Sequence, residues 1–218
     1  MTPQQREFDF QVLASLYAKR YGPANWKIQA FNYNIFAIGP WLEKVWLAKT
    51  DIEYFEVAAQ YVAALQDGHS GFRVPSSFSA DLGMFVDLYD GKVLLEIWNP
   101  LTYPRAEFPF AIGDELVSLD GRPVSAWMDE FVKFRGFGNP RGARRQAADM
   151  LTFRSQLSYP RATEVGETSE AEIINAAGER KTLHPQVDSH RATLHTVRAS
   201  TLTFCGNREG PRPGKFTL

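Results

Sequence analysis

Two short stretches carry residue types that can do chemistry. The first is Gly68-His69-Ser70-Gly71, where an imidazole and a hydroxyl stand side by side between glycines. A serine nucleophile needs a sharp strand-to-helix turn, a base and an oxyanion hole, and its short signature is G-x-S-x-G. Here the fifth position is Phe72, and the residues before the turn have helical spacing. Ser70 therefore reads as part of a turn that closes a helix. His69 in that reading caps the helix end, where a cation or a ring N–H meets the last free carbonyls.

The second stretch is Leu82-Gly83-Met84-Phe85-Val86. Gly83 lets the chain turn so that successive N–H groups converge on one point, a nest for a carboxylate. The strand that follows, Met84 to Leu88, offers an edge on which an extended peptide can pair. Trp127, Met128 and Phe131, on a later helix, close a pocket over the peptide's last side chain. The competing reading makes Leu82, Met84 and Val86 ordinary core residues and Gly83 a simple turn.

Other groups carry less. His184, His190 and His195 share no helix or strand face, and no cysteine pair or carboxylate cluster accompanies them, so no metal site is assigned. Arg135, Arg141, Arg144, Arg145 and Arg154 form a basic cluster, but Asp129, Glu130 and Asp149 surround it and aromatic residues are poorly interleaved. That is the pattern of a solvated helix face rather than of a nucleic-acid interface. No motif asks for a cofactor.

The chain that must position these groups has 218 residues, 44% of them hydrophobic, enough for one large core or two small ones. Lys and Arg (24) nearly balance Asp and Glu (25), and the formal net charge of −1 gives little field to hold nucleic acid or anionic lipid. The single cysteine, Cys205, cannot form an internal disulfide, so thiols leave the compartment open. Residues 1–20 lack the basic start and apolar run of a leader, and no window reaches 18 apolar residues, so no integral membrane segment is expected.

Thr2, Pro3 and Gln5 supply an N-cap, a first-turn proline and a capping-box partner for a helix that stops at Gly22-Pro23. Pro40 opens a second helix through Trp41, Val45 and Trp46. Thr50 and Glu53 form another capping box before an apolar helix, past whose end Gly68 can take the left-handed conformation. After Pro75 the period changes. MFVDLY, KVLLEIW and ELVSL are β-type runs punctuated by Asp90-Gly91 and Asp120-Gly121, two strong hairpin signals. Ser125 to Phe134 returns to helical spacing, Asn139-Pro140 starts a helix reaching about Phe153, and a last hairpin spans Ala171 to Leu183. From 188 to 218 no period is sustained.

The order of elements and three segments resemble the C-terminal processing (tail-specific) serine peptidases and the related tricorn core. ALQDGHSGF (64–72) looks like the L-x-D-x-H-[ST] segment that closes the helical N-terminal domain of many of these proteins. ADLGMFVDLYDGKVLL (80–95) is similar to the carboxylate-binding loop and strands of their PDZ-like domain, and FAIGDELVSLDGRPVSAW (110–127) matches its GD-strand-turn segment. The resemblance covers about residues 5–185. It implies an α+β chain: a helical N-terminal domain (1–75) and a PDZ-like, partly open barrel or sandwich (76–187) with an inserted helix at about 139–155; the tail beyond it (188–218), which has no sustained period, reads as weakly ordered.

The resemblance also implies a function. The chain would be the front part of a serine endopeptidase that captures protein or peptide C-termini, with Leu82, Gly83, Met84, Phe85, Val86, Trp127 and Phe131 at the substrate and His69 as a tricorn-like general base. It suggests an extracytoplasmic location. The family's nucleophilic serine lies in a later α/β domain that this sequence does not contain, which fits a truncated or frame-shifted gene product, inactive alone. The alternative is a non-catalytic adaptor using the same groove.

Overall fold

The structure, a computed structural model, describes residues 1–74, 78–98, 104, 106, 108–155 and 164–191. Its first part is helical: α1 (Pro3–Arg20), α2 (Ala24–Phe31), α3 (Gly39–Leu47) and α4 (Asp51–Ala63). Both expected capping boxes form, Thr2 with Gln5 and Thr50 with Glu53. Phe10, Leu13 and Tyr17 of α1 meet Val45 of α3 and Tyr54, Ala58, Tyr61 and Val62 of α4 in one cluster. The Phe10 ring stands edge-on to Tyr61 at 5.0 Å. Arg6, only 6% exposed, ties α1 to the α3–α4 junction by donating to the carbonyls of Ala48 and Lys49 and to Asp51.

Helix α2 was not visible in the sequence. It has no side-chain cap, and the one residue it buries is Lys27, so it lacks the apolar stripe that marks a packed helix. The end of α4 also differs from expectation. Gln66, not Gly68, takes the left-handed backbone, with φ 51°. Gly68 is needed for space instead: a Cβ there would lie 3.0 Å from the Phe137 ring.

The second part is antiparallel sheet with helices against it. Its elements are β1 (Phe78–Asp81), β2 (Met84–Tyr89), β3 (Lys92–Trp98), β4 (Glu115–Leu119), β5 (Arg122–Pro123), α5 (Val124–Phe131), a 3-10 turn (Val132–Phe134), α6 (Pro140–Ala148), β6 (Phe153–Ser155), β7 (Ala171–Ile174), β8 (Arg180–Leu183) and β9 (Asp188–Arg191). The larger sheet runs β2-β3-β4-β7-β8, with β5 folded back on β4, and a small sheet runs β6-β1-β9. Both Asp-Gly pairs make the tight turns expected of them. Asp90 and Gly91 have φ 47° and 86°, Asp120 and Gly121 φ 54° and 71°, the paired left-handed backbone of a two-residue hairpin turn.

The chain is therefore α+β, as its periodicity indicates. Two boundaries move. The helix from Asn139 ends at Ala148 rather than near Phe153, and residues 153–155 pair with β1 instead. Residues 188–191, expected to open the weakly ordered tail, form β9, in register with β1 from Asp81↔Asp188 to Phe78↔Arg191. The rest of that tail, 192–218, lies outside the described residues. Leu82, Met84, Val86, Leu95, Leu116 and Leu119 pack with Trp127, Met128 and Phe131 of α5 and with Ala147 and Ala148 of α6 in the second cluster.

Candidate functional site

The histidine loop is built on the C-terminus of α4. The Asp67 carboxylate organises it in an Asx-turn: Oδ1 accepts from the His69 N–H (3.0 Å) while Oδ2 accepts from the Ser70 and Tyr21 hydroxyls (3.1 Å each). The His69 Nδ1 lies 3.6 Å from Asp67 Oδ1, and the imidazole is 89% exposed. Burial by itself would raise the Asp67 carboxyl. The His69 N–H, the two hydroxyls and the nearby Lys27 ammonium outweigh it and hold Asp67 below the ordinary carboxylate range. Lys27 in turn donates to the Gln66 carbonyl (2.7 Å) and lies 4.8 Å from the Trp26 and Phe31 rings. Burial pushes its ammonium down, with Asp67 opposing.

This geometry assigns roles that residue types alone did not. Ser70 gives its proton to Asp67 rather than to an imidazole, so the loop presents a histidine and no serine–histidine pair. Asp67, Tyr21 and Lys27 are the anchors. Only Asp67 lies in the L-x-D-x-H-[ST] segment; Tyr21 and Lys27 come from segments some 40 residues earlier in the chain, which no local pattern connects to it.

The β1–β2 turn looks different from its sequence. Leu82, Met84, Val86, Trp127 and Phe131 are all at most 7% exposed and belong to the core, while Phe85 is 54% exposed. The Leu82 N–H donates to the Thr152 carbonyl (3.0 Å), and the Gly83 N–H donates to Oδ1 of Asp81. Two of the three donors of the expected nest are thus engaged within the chain. Among the described residues β2 pairs with β3 alone and ends the strand order of its sheet, and α6 packs against it. Arg145 of α6 donates through Nε to both oxygens of Asp87 (2.8 Å each).

Beside this turn lies a cavity of about 410 Å³ between the small sheet and α5. Leu82, Leu119, Leu151, Trp127 and Val187 give it apolar walls; Asp81, Asp120, Glu164, Thr152, Thr168 and Ser169 give it polar ones. Asp120 Oδ1 accepts from the Ser169 hydroxyl (2.7 Å) and the Glu170 N–H (2.9 Å). Sequence reading singled out Leu82 and Trp127 here but none of the carboxylates.

The arginine cluster divides. Arg144 and Arg145 are paired with Asp129 and Asp87, in keeping with a solvated, ion-paired face. Arg135 is different: its Nε is buried without a hydrogen-bond partner among the described residues. No group of three metal-ligating side chains is found among the described residues, and none of their helices is long and apolar enough to cross a membrane.

No family model matches the sequence, and comparison with curated proteins gives no match. Solved structures do match. The chain superposes on mature CPAF, the chlamydial protease-like activity factor, in complex with lactacystin, with a TM-score of 0.74 at 18% identity over 92% of this chain. A second structure of mature CPAF gives 0.73 at 19% identity over 92% of the chain, and a point mutant of CPAF gives 0.71 over 86%. The chain thus has the fold of part of CPAF. It spans 39% of the length of the first of these structures.

Proposed function

We propose that this chain is the substrate-handling front part of a serine peptidase akin to the C-terminal processing and tricorn-like enzymes. In this reading His69 is the general base, the sheet-bearing part is a PDZ-like unit that takes extended protein or peptide tails, and the nucleophile belongs to a domain outside these residues. The observation that carries it is the histidine loop. An exposed imidazole stands 3.6 Å, just beyond hydrogen-bond reach, from a carboxylate that two hydroxyls and a backbone N–H hold in place, and a base must be reachable by the group it serves. The likeness to a serine protease over 92% of the chain supports the same reading.

Tails would enter as an added strand on β2, near Phe85 and the turn at Leu82 and Gly83. The buried members of the expected set, Met84, Val86, Trp127 and Phe131, then shape the floor beneath. Because the Leu82 and Gly83 N–H groups are already engaged, affinity comes from main-chain pairing and side-chain contacts rather than from capture of the terminal carboxylate.

The test is binding of a fluorescent unstructured polypeptide to the chain, with hydrogen exchange read at residues 84–88. Affinity in the ~µM range with slowed exchange there is expected. A fluorophosphonate probe should label no serine. Absence of binding by any tail would reject the substrate-handling role, and stoichiometric labelling of one serine would place the nucleophile in this chain.

A further inference from the structure

We infer that the cavity between β1, α5 and residues 164–169 is a recognition pocket for a cationic side chain, arginine or lysine, of a bound peptide. The peptide as its source rests on the function proposed above; the charge preference rests on the cavity itself.

Three elements bring carboxylates to its wall: Asp81 at the end of β1, Asp120 in the β4–β5 turn, and Glu164. No lysine, arginine or histidine lines it among the described residues. Asp81 Oδ1 receives the Gly83 N–H and Asp120 Oδ1 receives Ser169 and Glu170. The Oδ2 atoms of Asp81 and Asp120 have no hydrogen bond, and neither carboxylate has a cationic partner, among the described residues. Arg122 lies against the Trp127 ring at 4.5 Å, but it donates to the Ala126 carbonyl and its other neighbour is Glu130.

An independent feature points the same way. Thr152 is 3% exposed and lines the cavity, yet its hydroxyl has no hydrogen-bond partner among the described residues. That hydroxyl is reached from the cavity and has both lone pairs open, so it accepts from the N–H donors of whatever fills the space. The apolar walls complete the match. Arginine and lysine bury their methylene stems along apolar surface and carry donors only at the tip. A divalent ion would need the carboxylates to converge on one point, and no such convergence is found among the described residues. A terminal carboxylate, the ligand expected from the sequence, would be repelled.

The experiment is calorimetric titration of the full chain with a blocked pentapeptide, acetyl-Ala-Leu-Arg-Leu-Ala-amide, against its citrulline twin, which keeps the shape and loses the charge. N-acetyl-arginine-methylamide is the third probe. The arginine peptide should bind about ten-fold or more tightly than the citrulline peptide, with affinity falling as salt is raised. Asp81→Asn and Asp120→Asn keep the oxygens that Gly83, Ser169 and Glu170 use, so the turns stay formed; each should cost about three- to ten-fold in arginine-peptide affinity, and Thr152→Val about three-fold. Unchanged melting curves show that the variants fold.

Equal binding of the arginine and citrulline peptides, or full affinity in both Asn variants, overturns the cationic pocket while leaving peptide capture standing. The reverse result is also informative. If the small arginine derivative binds as tightly as the pentapeptide, and the Asn variants abolish it, the pocket stands and the extended-peptide reading falls. Binding of none of the three probes rejects the pocket.

Discussion

Asp67→Ala removes the group on which the histidine loop depends, and its cost can be worked from three bonds. The His69 N–H and the Ser70 hydroxyl lie on an exposed loop and turn to water when the carboxylate goes, so each contributes about 0.5 kcal/mol. Tyr21 is only 8% exposed; its hydroxyl loses its partner in a place with little water, which costs about 1–2 kcal/mol. The sum is about 2–3 kcal/mol, or a fall in melting temperature of about 4–12 °C for a chain of this size. Asp67→Asn keeps one acceptor oxygen and should fall between. The pH dependence follows from the depressed carboxyl. Its contribution is complete above the ordinary carboxylate range and is lost as pH falls through the lower folded-state value, so wild type and Asp67→Asn should converge as the solution is acidified below that range. Thermal melts from pH 2 to 7 by circular dichroism test both parts. An Asp67→Ala variant within ~0.5 kcal/mol of wild type at pH 7, or a gap that persists in acid, would show that the carboxylate is merely solvated.

Three further outcomes follow from close contacts and turns. A Cβ on Gly142 would sit 2.7 Å from Phe137 Cδ1, so Gly142→Ala should destabilise by about 1–3 kcal/mol, and Phe137→Leu in the same chain should recover part of it; additive losses in a double-mutant cycle would refute the contact. Gly91 has φ 86°, so Gly91→Val should cost about 1–3 kcal/mol while Gly91→Asn costs a few tenths, as read from urea midpoints; equal costs would mean the turn is not left-handed. The Arg145 guanidinium beside Asp87 holds that carboxyl down, so Arg145→Met should lower the melting temperature at pH 7, and the difference should vanish as pH falls through the depressed value; a pH-independent difference would place the loss in packing instead.

Much of the fold was legible because its signals are local. Thr2 with Gln5 and Thr50 with Glu53 each lie within one helical turn of their partners, and Asp-Gly pairs dictate tight hairpin turns without reference to the rest of the chain. Where the deciding partner is distant, the reading fails. The stretch Asp188-Ser189-His190-Arg191 has no strand pattern of its own; it is a strand because β1, more than a hundred residues earlier, supplies the pairing. Helix α2 hides for a related reason, since its buried face is a lysine satisfied by the Gln66 carbonyl and two rings.

The site obeys the same division. Gly68-His69-Ser70 announced itself, but whether Ser70 and His69 act on each other depends on Asp67 and Tyr21, and the structure directs Ser70's hydroxyl to the carboxylate. At Leu82-Gly83-Met84 the local backbone suggested converging N–H donors and hence an anion. Tertiary pairing reverses that. Thr152 reaches the Leu82 N–H only because the segment after α6 runs beside β1, and Asp81 folds its own carboxylate onto the Gly83 N–H. Once those donors are spent, the charges that the described residues bring to the cavity beside the turn without a cationic partner are the side chains of Asp81 and Asp120, and they are negative. A backbone nest and a carboxylate-walled pocket differ by two hydrogen bonds, yet they select ligands of opposite sign.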